Sequence, residues 1–314
     1  MAFNNIIDRG EAAALMPEQY QREIVQSVPE QSNVLRLGRR LQNMTRKQYR
    51  MPVLSLLPTA YFVNGDTGLK QTAEMNWDNK YINAEEIAVI VPVPEAVLDD
   101  SDYDIWAETR PRLVEAIAKV IDAAVLVGTN APAAWPAGLL AGATAAGHTV
   151  ARGAIGVDLY DDILNTNGLL SLVESDGFMV NGHLAHMSMR GRLRGLRDAN
   201  GQPMFARSMQ ETPGYSLDGD PIYFDTLNAF AAASALMFAG DWSQLVYSIR
   251  QDITFKVLDQ AVITDPQGQV IYNLAQQDMI ALRVVMRLGW QLPNPITQLN
   301  PVEATRYPFA VLTL

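Results

Sequence analysis

His183 and His186 stand three residues apart, a spacing that on a helix would turn both imidazoles to one face and begin a metal site. A metal needs more ligands and a supporting shell. The flanking sequence completes no such set, so a structural or surface role is expected. Asp100, Asp102 and Asp104 imitate the opening of a calcium loop, but Ile105 stands where that loop needs glycine for its turn. Acids so placed ahead of an apolar stripe fit a helix start instead. Gly214-Tyr215-Ser216-Leu217-Asp218 comes nearest to a nucleophile elbow, lacks the second glycine and reads as a turn. There is no phosphate-cradling Walker sequence, no GxGxxG after a strand and no HExxH. Arg190, Arg192, Arg194 and Arg197 would spread over two faces of a helix, which suits ion pairs between subunits better than one phosphate track. No acid, base and nucleophile combine. The chain is expected not to be an enzyme, and to need no cofactor and no metal.

A second basic block is more concentrated. From Gln31 to Gly65 there is no acid, yet Arg36, Arg39, Arg40, Arg46, Lys47 and Arg50 all fall there. Such a block is a solvated face, a partner for acids elsewhere in the chain, or a contact for an acidic surface of a neighbouring copy. The whole chain carries 24 bases against 34 acids, a net charge of −10, the opposite of a dedicated DNA-binding surface. Charged residues are 18% of 314, against about 25% in an ordinary soluble domain, a first hint of extensive interfaces. Hydrophobic residues at 48% supply a core and exclude global disorder. The absence of cysteine removes disulfides, thiolate catalysis and iron–sulfur clusters together. The first twenty residues lack the pattern of a secretory signal, and no run reaches the ~18 apolar residues that span a bilayer. A soluble protein made in a cytosol, with no membrane partner, is expected.

The elements that must position these residues are mixed helix and strand, α+β, without a βαβ rhythm or an internal repeat. The first thirty residues show no core pattern and read as a leading arm. MPVLSLLPTAYFV is extended, Asn64-Gly65-Asp66 is turn chemistry, and Met75 to Tyr81 alternates with period two. With Glu86 to Val91 continuing the return limb, these residues predict a hairpin of about forty residues. Its tip carries Tyr61, Phe62, Trp77 and Tyr81. A two-stranded ribbon is marginal in water, so it needs a surface beneath it, on its own domain or on an adjacent subunit. Apolar positions at Leu113, Ile117, Val120, Ile121, Ala124 and Val127 predict a long helix over 102–128, ended at Gly128. Residues 131–156, rich in Ala, Gly and Pro, read as a linker. Asp158 to Glu174 reads as helix, Ala229 to Met237 as a small-residue helix, and Ile253 to Ile263 and Ile280 to Trp290 as extended or apolar segments.

Taken in order, several stretches resemble the major capsid proteins of tailed bacteriophages, the family with the Hong Kong-type phage capsid fold. IIDRGEAAALMPEQYQREIVQSVPEQSNVLRL is similar to that family's N-terminal arm. GDTGLKQTAEMNWDNKYINAEEIAVIVPVPEAVLDDSDYDIWAETRPRLVEAIAKVIDAAVLVGT is similar to its extended hairpin and spine helix, and ALRVVMRLGWQLPNP to its closing strand. The resemblance implies an arm at 1–32, a peripheral domain at 33–50 and 86–150 with its spine helix, and a hairpin loop at 51–85. It further implies an axial domain at 151–252 and return strands at 253–314. It implies a subunit that assembles with itself through pentamers and hexamers into an icosahedral shell in the virion, made in the host cytoplasm. That shell would enclose double-stranded DNA without sequence-specific binding, with a portal. The chain starts at the arm, so either a separate scaffold protein is expected or the chain is already processed. Contacts between copies are expected at Arg36, Arg39, Arg40, Tyr61, Phe62, Lys70, Trp77, Lys80, Tyr81, Arg190 and Arg194.

Some relatives join subunits through a hairpin Lys, an Asn and a catalytic Glu. Lys70 or Lys80 could supply the Lys, but Asp278 falls where the Asn is expected and Val285 where the Glu is expected. An aliphatic side chain cannot act as a base, so a shell without isopeptide bonds is expected. An encapsulin-like cage for enzyme cargo and an uncharacterised soluble enzyme are the alternative readings.

Overall fold

A computed structural model of the chain describes residues 31–63, 68–101, 104–155, 158–197, 200–202, 205 and 215–314. Residues 1–30 of the expected arm, the turn at Asn64-Gly65-Asp66, Asp102 and Pro213-Gly214 lie outside the described residues. Two larger sheets organise the rest. The first has four strands in the order β1 (Arg39–Arg40), β10 (Val246–Leu258), β13 (Met279–Gln291) and β4 (Glu85–Pro94). In β13 every second residue, from Leu282 through Val284, Met286 and Leu288 to Trp290, turns to one face. Leu282, Val284 and Met286 stand in register with Val91, Val89 and Ile87 of β4. Against that face lies the long helix α3 (Ile105–Leu126), which contributes Leu113, Ile117, Ile121 and Ala124 at helical spacing.

The 22 residues of α3 make a rod of about 33 Å. The expected start moves to Asp104, whose carboxylate caps the helix by accepting from the Ala107 N–H at 3.0 Å. Gly128 has φ +81°, the left-handed conformation that suits glycine past a helix end. Val120, expected in the buried stripe, is 45% exposed instead.

The second sheet has six strands, in the order β5 (Thr149–Ala151), β14 (Phe309–Thr313), β9 (Met237–Gly240), β6 (Gly182–His186), β8 (Asp220–Asp225) and β7 (Tyr215–Leu217). Both its faces are covered. Leu184, Phe238, Phe309 and Val311 join the core of α3, while Ala185, Met237, Ala239 and Leu312 meet α5 (Leu159–Leu164), α6 (Leu169–Ser175) and α7 (Met187–Gly195). Strand β14, at the end of the chain, lies between β5 and β9. The final strand of the chain thus belongs to the six-stranded sheet, and β13 to the four-stranded one.

Five expectations are corrected. Glu86 to Val91 does not continue the hairpin's return limb: the ribbon is β2 (Gln48–Leu56) against β3 (Asn76–Asn83), and the chain passes at Ala84 into β4 of the other sheet. Ile87, Val89 and Val91 are needed under α3, and that burial outweighs the local pattern. Residues 131–156 are not a linker, since they form α4 (Leu139–Ala146) and β5, with Leu139 and Ala143 fully buried. Ala229 to Met237 is not a helix: the Asp225 carboxylate holds the Leu227 and Ala229 N–H groups, and β9 is a wholly buried central strand. Small residues suit both a helix and a crowded sheet, and here the packing decides. His183 lies on a strand, with His186 at the start of α7, so the two rings share no helix face. The helix read over Asp158 to Glu174 is two helices broken near Gly168.

Candidate functional site: the assembly surfaces

The ribbon β2–β3 is exposed along most of its length. Only Val53 and Ile82 are buried in it: Ile82 at its base, packed with Met44, Ala84 and Val246, and Val53 midway along β2, opposite Asp78. A Cβ on Gly289 would stand 2.4 Å from the Asn83 oxygen, so glycine there lets the ribbon's base lie against β13. Beyond the paired residues the Tyr61 hydroxyl donates to the Gln71 carbonyl at 2.9 Å and keeps the two limbs together. Past that point Phe62 is 104% exposed and Leu69 90%, and Lys70 is exposed as well. On the paired strand β3, Trp77 is 59% exposed and Tyr81 is exposed too. Isolated apolar residues are ordinary on a surface, but a run of them on a two-stranded ribbon is a surface awaiting a partner.

The expected contact residues separate into two groups. Arg39 and Arg40 on β1, with Arg46 and Arg50, are exposed, and none has a carboxylate partner among the described residues. Of the remaining charged ones, Arg36, Arg190, Arg194 and Lys80 are engaged within their own subunit. Arg36 lies over the Tyr223 ring at 4.3 Å. Arg190 donates to the Tyr215 hydroxyl at 2.7 Å, and Arg194 to the Arg190 carbonyl. Lys80 pairs with Glu303 at 2.7 Å, and that lysine holds the Glu303 carboxyl below its ordinary range.

Glu303 belongs to a strap over residues 292–308 that sequence patterns do not reveal, because it has neither period. The Ile296 N–H donates to Leu54 of the ribbon. Arg306, 3% exposed, donates to the carbonyls of Asn294 and Asn300. At the other end the buried Asp176 accepts from the Tyr307 N–H and from Asn300 Nδ2, each at 2.7 Å, and lies 3.2 Å from His148 Nε2. A His–Asp pair suggests acid–base chemistry, but here the carboxylate's other contacts go to the strap, so the pair anchors chain. The Tyr307 hydroxyl is pushed up by burial and packs where a Cβ on Gly142 would fall.

A second buried acid was also missed. Asp122 of α3 accepts from the Ser32 hydroxyl at 2.5 Å and from the Asn33 and Val34 N–H groups at 2.8 and 3.2 Å. These bonds fasten the short helix α1 (Asn33–Leu37) to the long one. Burial outweighs the three donors and raises the carboxyl to about 6. A lone acid beside the apolar stripe of a helix was the available signal. His183, fully buried on β6, is pushed down by the same desolvation. At the positions that matter for crosslinking, Val285 is buried between Ala88 and Thr254 in the sheet, and Asp278 sits in the turn before β13 with φ +47°.

The molecule therefore has two larger buried cores and a ribbon that stays largely exposed. The phage capsid family model matches residues 12–296, and the chain belongs to that family. It is 25% identical over 294 residues to the major capsid protein of Staphylococcus phage 80alpha, covering 93% of this chain and 86% of the relative. A solved chain of Microbacterium phage Oxtober96 is 37% identical, with a TM-score of 0.84 over 98% of this chain and 99% of that one. The capsid of a native GTA particle shares the fold at 19% identity, with a TM-score of 0.69 over 98% of each chain. The chain is a major capsid protein, a structural subunit of a phage shell.

Proposed function

We propose that copies of this chain close through pentamers and hexamers into an icosahedral shell around double-stranded DNA, each ribbon lying over a neighbouring copy. The observation that carries this reading is the ribbon itself: a two-stranded sheet, exposed along its length, with Phe62, Leu69 and Trp77 bare. In this reading the four-stranded sheet with α3 is the peripheral body, and the six-stranded sheet with α5, α6 and α7 is the axial body at capsomer centres. A separate scaffold and a portal assist assembly in the host cytoplasm, and the chain catalyses nothing. The net charge of −10 suits a container that holds DNA without gripping it, since phosphate binding rests on Lys and Arg.

Electron microscopy of the purified protein tests the reading. Closed hollow particles or capsomers support it, and a monomer or dimer at every concentration refutes it. Particles that package a co-expressed enzyme in an apolar groove of the inner wall would favour a cargo cage instead. With Val285 in place of a base, boiled particles are expected to run as a single band of the subunit's mass on a denaturing gel. A ladder of covalent oligomers would contradict that.

A further inference from the structure

One end of the four-stranded sheet is open in a way the ribbon does not explain. Strand β10 pairs with β1 only at Val246 and Tyr247, so along Gln251–Leu258 one of its edges has no strand partner among the described residues. Phe255 and Val257 are 40% and 54% exposed there. The two-stranded sheet that follows, β11 (Val262–Thr264) with β12 (Val270–Asn273), exposes Val262, Val270 and Ile271. An open edge beside an exposed apolar sheet face is a site for pairing with another chain.

Charge says which chain. No Lys or Arg occurs from Val257 to Leu282 or from Tyr81 to Thr109. The end of β10, the start of β13, the end of β4 and helix α2 (Glu95–Asp100) meet at this place, where Met279 pairs with Pro94 and the Glu95 N–H donates to the Asp278 carbonyl. They bring together Glu95, Asp99, Asp100, Asp259 and Asp278, all exposed and none in an ion pair among the described residues. The opposite end of β10 carries the acid-free block: Arg39 and Arg40 pair there with Val246 and Tyr247, and Arg46 and Arg50 follow, exposed and without a carboxylate. The 13 residues of β10 separate the two ends by about 40 Å, so the arginines of the block cannot reach these acids within one copy. The bases at the acidic end are Lys256, Arg283 opposite it, and Arg110 over the Phe255 ring at 5.8 Å, and none of the three forms an ion pair with the five acids.

We propose that the apolar, acid-bearing end of the sheet in one copy docks on the basic block, Arg39 to Arg50, of a second copy. The contact is head to tail. Such an interface uses two different patches, so it propagates from copy to copy and closes only when the rotation does. Apolar burial at Val257, Val262 and Ile271 supplies attraction, and the charges fix partner and register. Docking of two acid-bearing ends on each other would set like charges face to face. The proposal rests on the shell reading and names which surfaces of two copies meet within it.

The experiment compares four forms of the full chain by sedimentation and electron microscopy: wild type, Arg39→Glu with Arg40→Glu, Asp99→Lys with Asp100→Lys, and all four changes together. All four side chains are exposed, and unchanged circular-dichroism melting verifies the fold. Each double reversal is expected to lower the assembled fraction by about tenfold or more at low salt, and the fourfold chain to regain it. Doubles that assemble like wild type, or a fourfold chain as dispersed as the doubles, overturn the proposal while leaving the shell reading intact. A wild type that never assembles overturns both. Zero-length carbodiimide crosslinking of wild-type particles gives a readout free of variants. Lys47 joined to residues 95–100 or 259–278, too far apart within one copy, is expected. Lys47 crosslinked only elsewhere contradicts the docking.

Discussion

The six-stranded sheet and the ribbon are built from the same backbone pairing and differ in everything that surrounds it. Strands β6, β9 and β14 are buried almost throughout, with Phe238 and Phe309 fully enclosed, whereas β2 and β3 bury only Val53 and Ile82. The sheet is complete within one chain. The ribbon spends strand-forming residues on a surface that a single chain cannot cover. A capsid subunit therefore divides its sequence between residues that fold it and residues that fold the shell, and the division should be measurable as separate sensitivities.

The widest separation is expected at Phe238. Its ring is fully buried and meets Phe230 edge-on at 5.2 Å. Phe238→Ala should remove about 3–5 kcal/mol from the unfolding free energy of the dispersed subunit, read from urea denaturation. A loss below about 1 kcal/mol would mean that the sheet is less closed than its burial indicates.

Asp122 gives the next effect, and it has a sign. Its carboxyl titrates at about 6 in the folded chain against an ordinary 3.8. Between those values the folded state binds more protons than the unfolded one, so this group makes stability fall as pH rises from about 4 to 6 and contributes no slope above. The change is on the order of 2 kcal/mol. Asp122→Asn should remove it, seen as the difference between the two pH–stability curves. Parallel curves would place the tie between α1 and α3 elsewhere than in this carboxylate.

What the sequence revealed follows the same division. The long helix could be read because Leu113, Ile117 and Ile121 recur at one period, and the ribbon because Met75 to Tyr81 alternates. The bare Trp77 and Phe62 could be read as a docking surface because a ribbon cannot bury them alone. The six-stranded sheet could not. Its strands are short pieces from five parts of the chain, and β14 reaches its neighbours only through the strap from Gln291. Asp176 meets Asn300 and Tyr307 across 124 and 131 residues of sequence. Local pattern carries no trace of a contact of that range. The small residues around Ala231 suit helix and sheet alike, and only the tertiary partners at β6 and β14 decide between them.

The pair between Lys80 and Glu303 lies on the border between the two regions, since it holds the ribbon to the strap. Its side chains are 30% and 60% exposed, so Lys80→Met should cost the subunit no more than about 1 kcal/mol. The Glu303 carboxyl is held below its ordinary value, so this contribution is present at neutral pH and is lost as pH falls through that lowered value. The sharper reading is local. The Ile296 N–H, which donates to Leu54, should exchange with deuterium faster in Lys80→Met if the pair keeps the ribbon against the strap. Unchanged exchange there would show that the ribbon is held by its buried base at Ile82 alone.

The smallest effect on the subunit should come from the most conspicuous side chains. Phe62 and Trp77 touch little within their own chain, so replacing both by Ala should move the unfolding midpoint of the dispersed subunit by no more than about 0.5 kcal/mol in equivalent stability. In a shell the same rings would be desolvated against a neighbour, where buried aromatic anchors dominate binding. The assembled fraction at a given protein concentration should therefore fall steeply while the melting curve stays in place. Equal losses in folding and assembly would mean that the ribbon folds back on its own subunit, and the division between its residues and those around Phe238 would disappear.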